Sequence, residues 1–271
     1  MSRRFILVVL AVLLIMPLVP VSAQPEWAYV IPANLLENRN GNLTMVNRQS
    51  LLDKDFEPHN LVSISALRSV SGLHMLRKEA AVALQDLFRA AEEAGHQLYV
   101  KSSYRNYRTQ ETMYQNRLEK YGKDDGVVAY PGSSDHQTGL GVDVLNLEWA
   151  KQDGMRPEFG NTKEAQWMEA NCAEFGFIIR YLKEKQDITG IIYEPWHLRY
   201  VGKEVARYIM EKRLSLEEFT QESQRAIQDY EAAGGDFLAL CAQLNAPPPV
   251  RELDDTDESG DSEVSMFYKK P

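Results

Sequence analysis

The stretch Ser134-Asp135-His136-Gln137-Thr138-Gly139-Leu140-Gly141-Val142-Asp143 decides how the rest of the chain is read. His136 and Asp143 are good ligands for a metal such as zinc. Gly139 and Gly141 between them permit positive φ and a close backbone approach. Leu140 to Leu145 is apolar enough for a buried strand, and Asp143 inside it is an expensive charge unless something pairs it. A metal does so; a neighbouring arginine is the other partner such a carboxylate could take. Further along, Glu194-Pro195-Trp196-His197 completes a set of two imidazoles and two carboxylates. Three protein ligands, His136, Asp143 and His197, with one open position are the pattern of a catalytic zinc rather than a structural one. The spare carboxylate, Glu194, is what a hydrolase needs to take a proton from water.

Pro195 directly after Glu194 argues for a strand rather than a helix. In a regular strand positions i and i+3 point to opposite faces, so Glu194 and His197 share one metal site only if the strand is bulged or twisted near Pro195. Trp196 is either a wall of the substrate pocket or a packing residue. A lone histidine in a strand is more often a core residue than a ligand; the Glu-Pro-Trp-His context reverses that for His197.

These segments resemble a known family. Ser-x-His-x-x-Gly-x-x-x-Asp at 134–143, Glu-Pro-Trp-His at 194–197, and Ser102-Ser103-Tyr104-Arg105 with Gln110 are similar, in order, to motifs of the VanY-type zinc D-alanyl-D-alanine carboxypeptidases, within the LAS group of peptidoglycan peptidases. The resemblance covers roughly residues 45–210. It implies one Zn2+ on His136, Asp143 and His197, with Glu194 as general base and proton carrier to the departing amine. It also implies a substrate that ends in a carboxylate, which arginine grips with a planar fork. Arg105 is then the group that steadies the scissile carbonyl oxygen or the terminal carboxylate, and Gln110, Ser134 and Trp196 are further substrate-binding candidates. The implied substrate is the peptidoglycan stem peptide, with release of its terminal D-alanine. Relatives that cut L,D bonds or act as endopeptidases carry the same motifs. A zinc-bearing wall-binding protein without activity is the rival from another class, and an intact Glu194 speaks against it.

Outward from the motifs, the chain reads as an α+β domain, a mostly antiparallel sheet bearing the zinc site with helices flanking it. Residues 75–94 form the clearest helix, with Leu76, Ala80, Leu84, Leu87, Phe88 and Ala91 on one stripe. Alternation predicts a strand over 97–102, followed by a helix over 107–121 with Met113, Tyr114 and Leu118 inward. A turn-rich loop leads into Ser134. A helix over 162–175 has Thr162 near its start and Trp167, Ala170 or Asn171, and Phe175 as core candidates. Strands at 177–181 and 190–194 are joined by a polar turn. Helices follow over 201–210, over 215–233 with Ser215 and Glu218 as a capping box, and over 237–244. The resulting division is 1–23 signal peptide, 24–44 loop-rich lead-in, 45–210 zinc peptidase domain, 211–246 C-terminal helices and 247–271 disordered acidic tail.

The compartment is read from the N-terminus. Arg3 and Arg4 precede an apolar run, Phe5 to Val19, and Val21-Ser22-Ala23 is a small-residue cleavage site, so export to the periplasm, envelope or exterior is expected. No later segment is long enough to span a membrane, so no stable transmembrane segment remains after cleavage. The formal charge of −9 disfavours a nucleic-acid partner, since no basic excess exists to neutralise phosphates. A monomer is expected. Cys172 and Cys241 are equally readable as a disulfide or as two buried thiols.

Overall fold

The computed structural model describes residues 24–70, 72–152 and 155–246. The signal-peptide and acidic-tail assignments, 1–23 and 247–271, lie outside these residues.

In chain order the elements are α1 (Ala33–Leu36), β1 (Leu61–Ser63), β2 (Met75–Arg77), α2 (Lys78–Glu93), β3 (Tyr99–Ser102), α3 (Tyr107–Tyr121), β4 (Gly141–Leu145), α4 (Leu147–Ala150), α5 (Lys163–Asn171), β5 (Phe177–Tyr181), α6 (Gln186–Thr189), β6 (Glu194–Tyr200), α7 (Lys203–Lys212), α8 (Leu216–Ala232) and α9 (Phe237–Asn245). The main sheet has the order β3-β4-β6-β5, all antiparallel, and β1 and β2 form a separate two-stranded sheet. The α+β expectation is met.

Period-two alternation splits the main sheet into an inert face and a chemical one. Val142 and Val144 of β4, Trp196 and Leu198 of β6, and Phe177 and Ile179 of β5 join one core with Leu84, Leu87 and Phe88 of α2 and Met168 of α5. Truncating a fully buried leucine here, such as Leu84, would cost about 2–5 kcal/mol. The intervening positions, Asp143, His197, Arg199 and Arg180, carry polar groups and are all buried. A second core ties the lead-in to the C-terminal helices: Ile31, Ala33 and Leu36 pack with Val205, Ile209, Phe219 and Phe237, and Ile178 connects this group to the sheet.

Two helices differ from expectation. The helix expected from residue 75 begins at Lys78, because Met75–Arg77 pairs with Leu61–Ser63. The long-range pairing overrides a local pattern that suits a helix; the stripe from Ala80 to Ala91 is buried as expected. The helix expected over 162–175 is α-helical only to Asn171 and continues as a 3-10 turn over Cys172–Phe175. Thr162 caps its start, accepting from the Ala165 amide. Its buried face is Ala165, Met168 and Cys172; Trp167 and Phe175 pack at the edge of the core and Ala170 is exposed. The expected strand at 190–194 starts only at Glu194, and Gln186–Thr189 is a helical turn. The capping box of α8 is complete in both directions. Cys172 and Cys241 sit in different cores as free buried thiols.

Candidate active site

Register places the ligand candidates. Asp143 of β4 is paired directly with His197 of β6. His136 lies on a 3-10 turn, Asp135–Thr138, whose C-cap Gly139 has φ +71° and brings the chain back into β4. A Cβ on Gly141 would stand 2.9 Å from backbone and side-chain carbon of Asp135, so the turn and the strand touch only because no side chain intervenes. Ser102 at the end of β3 pairs with Asp143 after a register shift. The chain then passes Arg105, whose amide donates to the His136 carbonyl at 3.2 Å.

The irregularity required near Pro195 is present. Ile179 pairs with Leu198 but Tyr181 pairs with Glu194, so β6 carries two extra residues against β5 over Pro195–His197. The bulge turns Glu194 to the His197 side, with Oε2 3.8 Å from Nδ1 of His197.

His136, Asp143 and His197 each bring a ligand atom within 4.8 Å of the others, and all three are buried. Nε2 of His136 is 3.3 Å from Oδ2 of Asp143, and Nδ1 of His197 is 2.9 Å from Oδ1. His136 donates through Nδ1 to the Ser103 carbonyl at 2.7 Å, which leaves the Nε2 lone pair facing the other two ligands. Two imidazole nitrogens and one carboxylate are a zinc-type donor set, so these residues fit the ion.

The local electrostatics point the same way. Burial, helped by the Arg105 guanidinium, pushes His136 down to about 4, so its ring is neutral and ready to ligate. Asp143 lies well below the usual carboxylate range: burial acts against ionisation, and His136 and His197 overcome it. Burial pushes Glu194 up to about 8, with Asp143 adding to the rise. His197 rises to about 9; burial opposes its charging, but Asp135 and Asp143 outweigh that.

The cleft over these groups has a volume of about 250 Å³ and brings together all eight residues singled out in the sequence: Arg105, Gln110, Ser134, His136, Asp143, Glu194, Trp196 and His197. Arg105 is held by its Nε donating to Gln110 at 3.2 Å and its Nη1 donating to Ser102 Oγ at 2.8 Å, and Nη1 is 3.8 Å from Asp143. Gln110 is fully buried and donates to the Ala129 carbonyl at 2.7 Å, so both ends of its amide are engaged within the protein. Trp196 takes both of its readings, lining the cleft and packing in the core. Met113, expected inward on α3, is exposed and lies on the cleft wall with Val127, Met155 and Ile191. A larger groove of about 530 Å³ between the lead-in and α7 contains none of this chemistry.

Sequence reasoning missed Asp135, Arg180 and Arg199, which are buried behind the ligands. A signal for Arg180 existed: an arginine inside the apolar strand Phe-Ile-Ile-Arg-Tyr must be paired if buried.

Comparisons with known proteins show the family. Residues 73–203 match the family model of VanY, D-alanyl-D-alanine carboxypeptidase. The protein YodJ of Bacillus subtilis is 40% identical over 190 residues, 68% of each chain. Among solved structures, the LD-carboxypeptidase LdcB is 39% identical with a TM-score of 0.61, covering 70% of this chain and 87% of that one. A mutant of the vancomycin-resistance D,D-pentapeptidase VanY, solved in complex with Zn(II), is 33% identical with a TM-score of 0.55, covering 66% of this chain and 98% of that one. With the His-Asp-His set, the bulged Glu194 strand and Arg105 converging on one cleft, the chain belongs to the VanY family of zinc-dependent D-alanyl-D-alanine carboxypeptidases.

Proposed function

We propose that the protein is an exported D,D-carboxypeptidase that removes the C-terminal D-alanine from peptidoglycan stem peptides. The observation that carries this reading is the position of Glu194, turned by the β6 bulge to the edge of the His-Asp-His set in a cleft that also contains Arg105. Zinc held by His136, Asp143 and His197 supplies Lewis-acid polarisation and lowers the pKa of water toward about 7. Glu194 takes the proton of the attacking water and returns it to the departing amine of D-alanine. Burial raises the proton affinity of its carboxylate, the direction a proton-transfer group needs. Arg105, braced by Gln110 and Ser102, meets the carbonyl oxygen or the terminal carboxylate with donors already fixed in place. Ser134 and the apolar wall around Trp196 fill out the substrate contacts. Export is part of the proposal, because this substrate lies outside the cytoplasmic membrane and the N-terminus reads as a signal peptide. Among the described residues no helix is long and apolar enough to cross a membrane.

A second reading, L,D-carboxypeptidase on the tetrapeptide, is favoured by one observation, the higher TM-score to LdcB. Release of D-alanine from stem pentapeptide and from tetrapeptide, with and without chelator, separates the two. Pentapeptide cleavage that stops on chelation and returns with zinc supports the D,D reading. Cleavage of tetrapeptide alone replaces it with the L,D reading, and silence on both substrates sinks the carboxypeptidase proposal.

A further inference from the structure

Behind the cleft, the same sheet face carries charged side chains that the proposed reaction does not touch. Asp135 is fully buried between two fully buried arginines. Arg180 donates from Nε to Oδ2 at 3.0 Å, and Arg199 donates from Nη1 to Oδ1. Arg180 reaches on to both carboxylate oxygens of Glu217 in α8, at 2.7 and 2.8 Å. Arg199 reaches on to the carbonyls of Asn42 and Thr44 in the lead-in, at 3.0 and 2.8 Å. Asp135 is therefore fixed from two sides.

One ring nitrogen of each metal-ligand histidine faces away from the metal set. For His136 it is Nδ1, anchored to the Ser103 carbonyl. For His197 it is Nε2, which has no hydrogen-bond partner among the described residues and stands 3.8 Å from Oδ2 of Asp135. Nδ1 of His197 is bonded to Asp143 Oδ1 at 2.9 Å. Were a metal held through Nδ1, Nε2 would carry the ring's one N–H and face Asp135. Metal-ligating histidines nearly always donate that second N–H to a carboxylate or carbonyl, which fixes tautomer and ring plane.

We propose that Asp135, clamped between Arg180 and Arg199, is the positioning residue of His197, accepting its Nε2–H and so committing Nδ1 to the metal. The inference rests on the metal reading of the site. It brings Glu217 and residues 42–44 into the device, although both lie outside the stretch 73–203 that matches the family model.

The test uses the full chain loaded with zinc. Nitrogen NMR of its histidines should show His197 protonated at Nε2 and bound through Nδ1. In Asp135→Asn, zinc affinity measured against a chromophoric chelator should fall about 10–100-fold, and the visible spectrum of the cobalt-substituted protein should change. Asp135→Glu, which keeps the charge, should recover part of the loss, and thermal unfolding of the metal-free variants tracks folding separately. His197 bound through Nε2 overturns the proposal. So does a folded Asp135→Asn protein with wild-type zinc affinity and cobalt spectrum. Should Asp135→Asn fail to fold, the tautomer in the wild-type protein decides alone. These failures leave the enzyme reading standing while the wild type binds zinc and releases D-alanine; a wild type that binds no zinc overturns both.

Discussion

The cleft set (His136, Asp143, Glu194, His197 and Arg105) and the set behind it (Asp135, Arg180, Arg199 and Glu217) share one region of the sheet and are both withdrawn from water. Their charges are balanced differently. Behind the cleft, two guanidiniums meet two carboxylates, and each oxygen of Asp135 and Glu217 receives a donor. In the cleft, the Arg105 guanidinium faces Asp143 and Glu194 without a close pair, its Nη1 lying 3.8 Å from Asp143. His197 supplies the remaining compensation by protonation, or both imidazoles do so by ligating a cation. A buried charge cluster that closes on itself holds structure, and one left open by design is where a metal and a substrate belong.

The largest expected effect lies in the open set. Glu194→Gln should lower kcat by about 10²–10⁴-fold while zinc stays bound, since it removes the proton carrier and no ligand. The same change should leave the metal-free protein at least as stable as wild type, because a neutral amide replaces a carboxyl that burial already drives toward protonation. Assay of D-alanine release beside zinc titration checks both parts. A variant that keeps activity within tenfold of wild type would remove Glu194 from the mechanism.

The closed set should respond in the opposite sense. Arg199→Met should cost about 3–5 kcal/mol in urea unfolding of the metal-free protein, because it strands Asp135 without one of its donors. It also strips donors from the Asn42 and Thr44 carbonyls and so loosens the lead-in. A cost below about 1 kcal/mol, or an equal cost from Glu194→Gln, would erase the distinction between the two sets.

The pH response separates them again. Glu194 rises from 4.5 to about 8 on folding and His197 from 6.5 to about 9. Groups raised in this way contribute stability that is full below their unfolded values and is lost as pH climbs through the folded ones. His136, lowered from 6.5 to about 4, opposes that trend only below pH 6.5. Metal-free protein should therefore lose stability steadily between about pH 6.5 and 9, and Glu194→Gln should flatten the slope. Zinc-loaded protein should lose the His197 part of the fall, since ligation replaces that proton. Thermal midpoints across this range are the measurement, and a flat profile for the metal-free protein would contradict the open charge balance. The closed set is silent here, because Arg199 and Arg180 hold Asp135 far below the window.

The two sets were not equally legible in the sequence. Zinc chemistry restricts ligands to a few residue types, and the motifs around them are contiguous, so His136, Asp143, Glu194 and His197 stand out. Even the bulge at Pro195 follows, since i and i+3 in a flat strand cannot serve one metal. The closed set has no local signature. Asp135 meets Arg180 and Arg199 across 45 and 64 residues, and aspartate and arginine at such separations look like surface residues until the fold brings them together. The same limit explains Met75–Arg77, whose helical pattern is overridden by a partner strand around Val62.

The smallest effect tests how far the closed set extends. Glu217, which holds Arg180, sits in the first turn of α8, and the capping box of Ser215 and Glu218 defines where that turn begins. Lys185 adds a contact to Glu218 at 2.8 Å. Ser215→Ala removes one acceptor for an orphan amide and should cost about 1 kcal/mol in urea unfolding, the ordinary value of a helix cap. Zinc affinity should not change, because Asp135 keeps both of its arginines when the first turn of α8 frays. A loss well above about 2 kcal/mol, or a weaker hold on zinc, would mean that the cap, Glu217, Arg180 and Asp135 act as one unit. The boundary between the two sets would then lie not at Asp135 but a full helix further back.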